Sequence, residues 1–331
     1  MMKTSWKMLF FIMTMTSTMM VLSSNDMLNM WIGLEISLMS FIPLMYENKN
    51  NILTQSSMMY FLIQSMASMM LIIMILMNMF MYINMWMEMM NIIMLTMMMK
   101  MGMPPFHMWF PEMMSKMSWK TCIMLMTWQK VAPMYILSLI MNNNKLTMLI
   151  MMTSTITGAI MGLNHTSTQK IMAYSSINHM GWMMACASMN SKMWIMYMTM
   201  YSLMTIMLGM YMYKYNIMYI NQYNTMSMNM TEKMSVMVMM LSMGGLPPFM
   251  GFMPKWITIE YMIMSNEFML LTIMLMSSLI TLMYYLRMIS SMMLIMSHSQ
   301  KWMFMNKKEA STNMLYINML MPMLIIMLNF M

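Results

Sequence analysis

Four ionisable side chains stand in apolar surroundings: Glu35 in WIGLEISLMSFIP, Lys100 just before GMPPFH, Lys130 in MLMTWQKVAPMYIL and Lys255 in GFMPKW. Glu35 has about eight or more uncharged residues on each side, ~12 Å of helix, so its carboxylate cannot reach water alone. Lys100 lies between Glu88 and Glu112, with only uncharged residues and His107 intervening. Lys130 is about ten residues from the end of its apolar run, ~15 Å along a helix and beyond the reach of a snorkelling side chain. A charge at bilayer depth costs at least ~2.5 to 3.5 kcal/mol. An inert Glu–Lys ion pair would account for Glu35 and one lysine and leaves the other over. Desolvation lowers a lysine's proton affinity and a nearby carboxylate raises it, so the chemistry open to Glu35, Lys100 and Lys130 is a proton relay. Lys255 lies only five residues from Glu260 and reads equally as an interfacial lysine; its place in the motif described next adds it to the relay. His179, in SSINHMGWMM, is a possible further member, its alternative being a hydrogen-bonded core histidine.

The elements that must hold these groups are interrupted at two matching places. MGMPPFHMWFPEM and GGLPPFMGFMPKW place Gly102, Pro104, Pro105, Phe106 and Pro111 in register with Gly245, Pro247, Pro248, Phe249 and Pro254, 143 positions apart. Proline lacks an N–H and breaks a helix. Unwound backbone at membrane depth is tolerated where it is buried in protein or lines a wet cavity. The duplication predicts two homologous halves of about five spans each, which must enter the membrane from opposite sides, as in the inverted repeats of transporters. Ordinary loops between short helices are the other reading of a single Pro-Pro. His179 follows Asn178, which stands 143 positions after Glu35, so the second half carries a histidine near the place of the first half's glutamate.

Of the 331 residues, 61% are hydrophobic and 8% charged, which excludes a soluble globular fold. Apolar runs near the ~20 residues needed to cross a bilayer recur along the chain. Punctuating them at Asn, Ser, Lys and Pro clusters predicts spans near residues 8–22, 27–45, 54–80, 86–117, 118–140, 146–163, 169–189, 193–213, 234–264, 268–293 and 314–331. The expected fold class is therefore an all-α polytopic membrane protein of about eleven transmembrane helices. Residues 1–140 form the first repeat and 141–293 the second, inverted one. Residues 294–331 are a surface segment and a C-terminal transmembrane helix. The first run lacks a small-residue cleavage site and reads as a retained span.

The 84 methionines are spread through every apolar run, with a single arginine, Arg287. This fits codon bias in a genome poor in G and C, as in animal mitochondrial DNA, because methionine is an adaptable apolar helix former. A thioether site for Cu(I) would instead cluster Met with Cys or His on one face. Cys122 and Cys186 stand alone, with no disulfide or zinc spacing. The net charge of +8 is explained by solvated loops and interfacial lysines, so nucleic acid is not an expected partner. No Gly-rich phosphate loop or nucleophile elbow is present, and His165 in NHTSTQK falls in a loop without a facing partner. No redox centre, cofactor or metal site is expected in this chain.

Together WIGLEISLMSFIPL, KMGMPPFHMWFPE, MTWQKVAP, SSINHMGW and GGLPPFMGFMPKW resemble, in order and along nearly the whole chain, the antiporter-like membrane-arm subunits of respiratory complex I (NADH–ubiquinone oxidoreductase). The likeness is to an insect form of these subunits. It implies two inverted five-helix units with interrupted helices, in the mitochondrial inner membrane and mitochondrially encoded. It also implies that Glu35 and Lys100 form the family's Glu–Lys pair, Lys130 the central relay and Lys255 the lysine of the second interrupted helix. The sister subunit 4 carries glutamate there. The resemblance further implies a subunit of a proton-translocating NADH:ubiquinone reductase, with NADH, FMN, iron–sulfur clusters and ubiquinone held by other subunits. Its partners would be other membrane-arm subunits, including subunit 4, accessory subunits and bound phospholipid. Bacterial relatives have three additional N-terminal helices. A free-standing sodium/proton antiporter would share the fold and lysines but exchange ions without NADH. A purely structural membrane subunit would tolerate neutral residues at Glu35, Lys100 and Lys130.

Overall fold

The computed structural model describes residues 2–46, 51–80, 86–141, 145–189, 193–224 and 230–296. The chain folds as helices α1 (Met2–Ser23), α2 (Met27–Met45), α3 (Asn51–Phe80), α4 (Trp86–Met101), α5 (Trp109–Met114), α6 (Trp119–Met126) and α7 (Trp128–Ile140). It continues through α8 (Lys145–Leu163), α9 (Thr168–Met189), α10 (Met193–Tyr215), α11 (Met230–Gly244), α12 (Phe252–Met264) and α13 (Phe268–Met296). Among the described residues there is no strand, only one antiparallel bridge between Ser167 and Tyr219. Seven stretches are long and apolar enough to cross a membrane: Ser5–Ser23, Met27–Met45, Asn51–Asn78, Trp119–Ile140, Lys145–Leu163, Met193–Tyr215 and Phe268–Met293. The interrupted pairs α4/α5 and α11/α12 fall outside that set because each half is short, and α9 because it carries Gln169, Lys170, Ser175, Ser176, Asn178 and His179. The surface segment and the C-terminal span near 314–331 lie outside the described residues.

The two expected breaks open with the same turn. Gly102 has φ +68° and Gly245 φ +80°, the left-handed conformation that glycine adopts without a Cβ penalty. Met103 N–H donates to the Met98 carbonyl at 3.0 Å and Gly102 N–H to Met99 at 3.3 Å. In the second copy Leu246 N–H donates to Leu241 at 3.3 Å and Gly245 N–H to Ser242 at 3.0 Å. Both are Schellman turns, which satisfy two of the last carbonyls of the preceding helix. The next two carbonyls, of Lys100 and Met101 and of Met243 and Gly244, would need N–H groups from residues four further on. Those residues are Pro104, Pro105, Pro247 and Pro248, which have none.

A third interruption departs from the expected continuous span over 118–140. The helix breaks at Thr127 (φ −106°, ψ −73°), dividing α6 from α7. The Thr127 hydroxyl donates to the Ile123 carbonyl at 2.8 Å, a back-bond four residues upstream that bends helices. Pro133, one turn beyond Lys130, presses on the Gln129 carbonyl and removes its donor. Apolarity alone cannot report such a break, because both halves remain equally apolar.

The chain divides into two compact units, Met1–Ile150 and Met151–Met331, with the division inside α8. In the first, α2 packs on α1 and α3, and α4 on α3 and α7. In the second, α10, α12 and α13 all pack on α9. Every residue of α9 from 171 to 187 is buried, as expected of a helix at the centre of its unit. Burial of Ser175, Ser176, Asn178 and His179 on that central helix makes it polar at its core.

Candidate functional site

In the first unit the break positions Lys100 on the last turn of α4, buried to 7% exposure. Its own carbonyl, orphaned by Pro104, accepts a hydrogen bond from Gln64 Nε2 of α3 at 2.8 Å. The neutral amide of Gln64 thus does for this break what a backbone N–H would do in a continuous helix. Lys130, on the first turn of α7 after the Thr127 interruption, is 3% exposed, and its Nζ lies 4.8 Å from the centre of the Phe110 ring. Phe110 belongs to α5, so the short helix after the break supplies the face against which the second lysine rests.

Both lysines line one cavity of about 20 Å³, together with Ser37, Tyr60, Gln64 and Gln129. That is room for about one water molecule. The Gln129 side-chain amide is buried there, and its Nε2 has no hydrogen-bond partner among the described residues. Buried polar groups are almost always satisfied, so this amide is the group in the cavity wall placed to hold a bridging water. The structure therefore brings Lys100 and Lys130 together. Glu35, on α2, is half-buried, and among the described residues no ion pair joins its carboxylate to Lys100. Its neighbours Leu34, Ser37 and Leu38 reach the cavity wall.

In the second unit the lysine comes after the break. Lys255, on the first turn of α12, is 4% exposed and donates from Nζ to the Gly244 carbonyl at 3.1 Å. That carbonyl is one of the two orphaned by the proline pair. A Cβ on Gly245 would stand 2.7 Å from Lys255 Nζ, so this glycine gives the ammonium its seat as well as the turn its φ. The ammonium also lies 5.7 Å from the centre of the Trp182 ring of α9. One turn before Trp182 on the same helix is His179, whose Nδ1 is 3.0 Å from the Tyr197 hydroxyl and whose ring is 5.1 Å from that of Tyr201. α9 thus carries both the histidine and the aromatic face against Lys255.

The residues that the sequence left unmarked are Gln64, Gln129, Tyr60, Tyr197 and Tyr201. Gln64 and Gln129 carried a signal in retrospect, since each is an uncharged polar residue in a run of apolar ones. The tyrosines carried less, because an aromatic in an apolar run is ordinarily a packing residue. Outside the spans, the His165 imidazole of the α8–α9 turn is stacked on Tyr174 at 5.2 Å. It is held below its ordinary value by partial burial, then by the charges of Lys170 and Arg287. Among the described residues no cluster of three His, Cys, Asp or Glu side chains could hold a metal ion.

The family described as NADH:quinone oxidoreductase/Mrp antiporter, TM, matches residues 24–281. The NADH-ubiquinone oxidoreductase chain 2 of Anopheles gambiae is 41% identical over 317 residues, covering 93% of this chain and 93% of its own. The chain 2 protein of Sus scrofa is 39% identical over 315 residues, covering 89% of each. Among solved structures, respiratory complex I from Thermus thermophilus with bound Aureothin contains a chain that superposes with a TM-score of 0.79 at 19% identity, over 87% of this chain and 70% of that one. The Mrp complex from Dietzia sp. contains another, with a TM-score of 0.77 at 14% identity, over 85% of this chain and 59% of that one. At those identities the likeness is one of fold.

Proposed function

Because the chain belongs to the NADH:quinone oxidoreductase/Mrp antiporter transmembrane family, and within it to the NADH-ubiquinone oxidoreductase chain 2 proteins, we propose that it is a core membrane-arm subunit of respiratory complex I. It couples electron transfer from NADH to ubiquinone to proton translocation through its buried Glu and Lys residues. The observation that carries this reading is a buried lysine built against each of two matched helix breaks, Lys100 before the first and Lys255 after the second.

The protein crosses the mitochondrial inner membrane many times, as two inverted five-helix repeats over residues 1–140 and 141–293, closed by the segment 294–331. NADH, FMN, the iron–sulfur clusters and ubiquinone act in other subunits. The sister subunit 4 and accessory subunits are its neighbours, with bound phospholipid. Quinone reduction elsewhere changes the charge felt at Glu35, which alters the proton affinity of Lys100, then of Lys130, then of Lys255, with His179 beside the last. Two charges ~8 Å apart interact by ~2 kcal/mol at an effective dielectric of 20, about 1.5 pKa units, so Glu35 need not touch Lys100 to bias it. Between Lys100 and Lys130 the proton crosses the shared cavity on a water held by Gln129.

Lys130→Met in the assembled complex tests the relay, read as protons pumped per electron in sealed vesicles. A loss of pumping with quinone reduction retained in uncoupled vesicles is expected; an unchanged ratio refutes the role. Mass spectrometry of native gel bands stained for NADH dehydrogenase activity tests the assembly. The chain is expected in the very large active band, and its migration alone would leave the antiporter or structural reading.

A further inference from the structure

One buried acid plays no part in the relay above. Glu232, in the first turn of α11, is 3% exposed. Its carboxylate accepts from Lys214 Nζ of α10 at 2.6 Å and from the Tyr215 hydroxyl. The Lys214 side chain is 41% exposed, so one partner of the pair reaches water while the other is enclosed. The next turn of α11 continues the polar face: Ser235 Oγ donates at 2.7 Å to the Glu232 carbonyl and is hydrogen-bonded at 3.1 Å to the Tyr211 hydroxyl of α10. Ser242, two turns further, is fully buried, and α11 then ends at Gly244, on whose carbonyl Lys255 rests. Glu232, Ser235 and Ser242 recur at helical spacing, so they line one face of the helix that connects the water-facing end to the break.

We infer that Glu232 is a proton-loading site at the water-facing end of the second unit, an inference that rests on the relay reading of Lys255. When Lys214 swings into water, the enclosed carboxylate loses that ammonium and binds a proton from water, leaving hydroxide to be neutralised in bulk. The carboxylic acid then gives that proton to the Ser235–Tyr211 hydroxyl pair, each hydroxyl accepting one proton and releasing another. Glu232 returns to its ion pair with Lys214. The remaining path runs along α11 past Ser242 to Gly244, about two and a half turns or ~13 Å beyond Ser235, where neutral Lys255 takes up the released proton. A clamp that merely tied α10 to α11 would need no hydroxyl pair behind it, and a buried ion pair is weak support for stability in any case.

The test uses Glu232→Gln and Tyr211→Phe in the assembled complex, with Lys255→Met alongside, and reads protons pumped per electron and uncoupled NADH:quinone flux. Both Glu232→Gln and Tyr211→Phe are expected to lose pumped protons per electron while uncoupled flux stays at the parent level. Tyr211→Phe leaves the Lys214–Glu232 pair intact, so it separates proton loading from a clamp and decides the matter if Glu232→Gln fails to assemble. Full pumping in Tyr211→Phe and in any assembled Glu232→Gln, with pumping lost in Lys255→Met, overturns the loading site and leaves the relay standing. Full pumping in Lys255→Met as well overturns the relay reading itself.

Discussion

Substituting Gly245 by alanine strikes the second break where turn and lysine meet. A side chain at φ +80° costs ~1–2 kcal/mol in the left-handed region. The added Cβ would stand 2.7 Å from Lys255 Nζ and 2.9 Å from its Cδ, too close for unbonded atoms. The lysine is the partner that yields, because its far end is flexible and the backbone of the Schellman turn is not. Yielding takes Nζ off the Gly244 carbonyl, a charge-assisted bond worth ~1.5–3 kcal/mol. Loss of that bond alone alters the proton equilibrium of Lys255 by ~10- to 150-fold. The summed local cost is ~2.5–5 kcal/mol, large for one position but spread over a membrane-embedded unit with many other contacts. The assay is protons pumped per electron in vesicles carrying the assembled complex, with complex content measured on native gels. Gly245→Ala is expected to lower content modestly and pumping per electron strongly. Gly244→Ala is the control: its Cβ would meet only Leu282 at 3.4 Å, ordinary contact, so pumping should be unchanged. If Gly245→Ala pumps like the parent, the ammonium does not depend on its seat and the reasoning from Gly244 to Lys255 fails.

Gln64→Leu leaves the Lys100 carbonyl buried without a donor, at a cost of ~1–3 kcal/mol, and should lower the melting temperature of the complex and slow pumping; parental values for both would show that the break needs no cap from α3. Gln129→Leu removes the amide placed to hold a cavity water, and should slow pumping with little change in assembly, since its Nε2 makes no hydrogen bond among the described residues that could be lost; a pumping rate equal to the parent's would refute the bridging role. His165 is held below its ordinary value of 6.5, so a proton binds more tightly to the unfolded turn than to the folded one. Its contribution to stability is present above pH 6.5 and declines as pH falls through that value. His165→Gln should flatten the thermal stability of the complex between pH 7.5 and about 5.5, and an unchanged pH profile would remove His165 as the cause.

The sequence by itself determined that this is a multi-pass helical membrane protein, and where two of its helices stop. Both follow from local chemistry: apolar runs cannot be hidden from water in a chain with so few charges, and Gly-x-Pro-Pro supplies a left-handed residue and then withholds two N–H groups. It also singled out Glu35, Lys100 and Lys130, because an isolated charge in an apolar run is visible without any fold, and Lys255 through its place in the repeated break. What answers those charges was decided by tertiary structure. Nothing in the spacing of the chain tells that Gln64 meets the Lys100 carbonyl, that Lys255 turns back onto Gly244, or that Lys100 and Lys130 share a cavity. Nor does it show that Glu232 closes on Lys214. Each is a meeting between residues on different helices, and helix packing leaves no periodic mark on either partner. The interruption at Thr127 escaped for a related reason: its cause, a threonine back-bond and a proline one turn past Lys130, changes the geometry of an apolar helix without changing its apolarity.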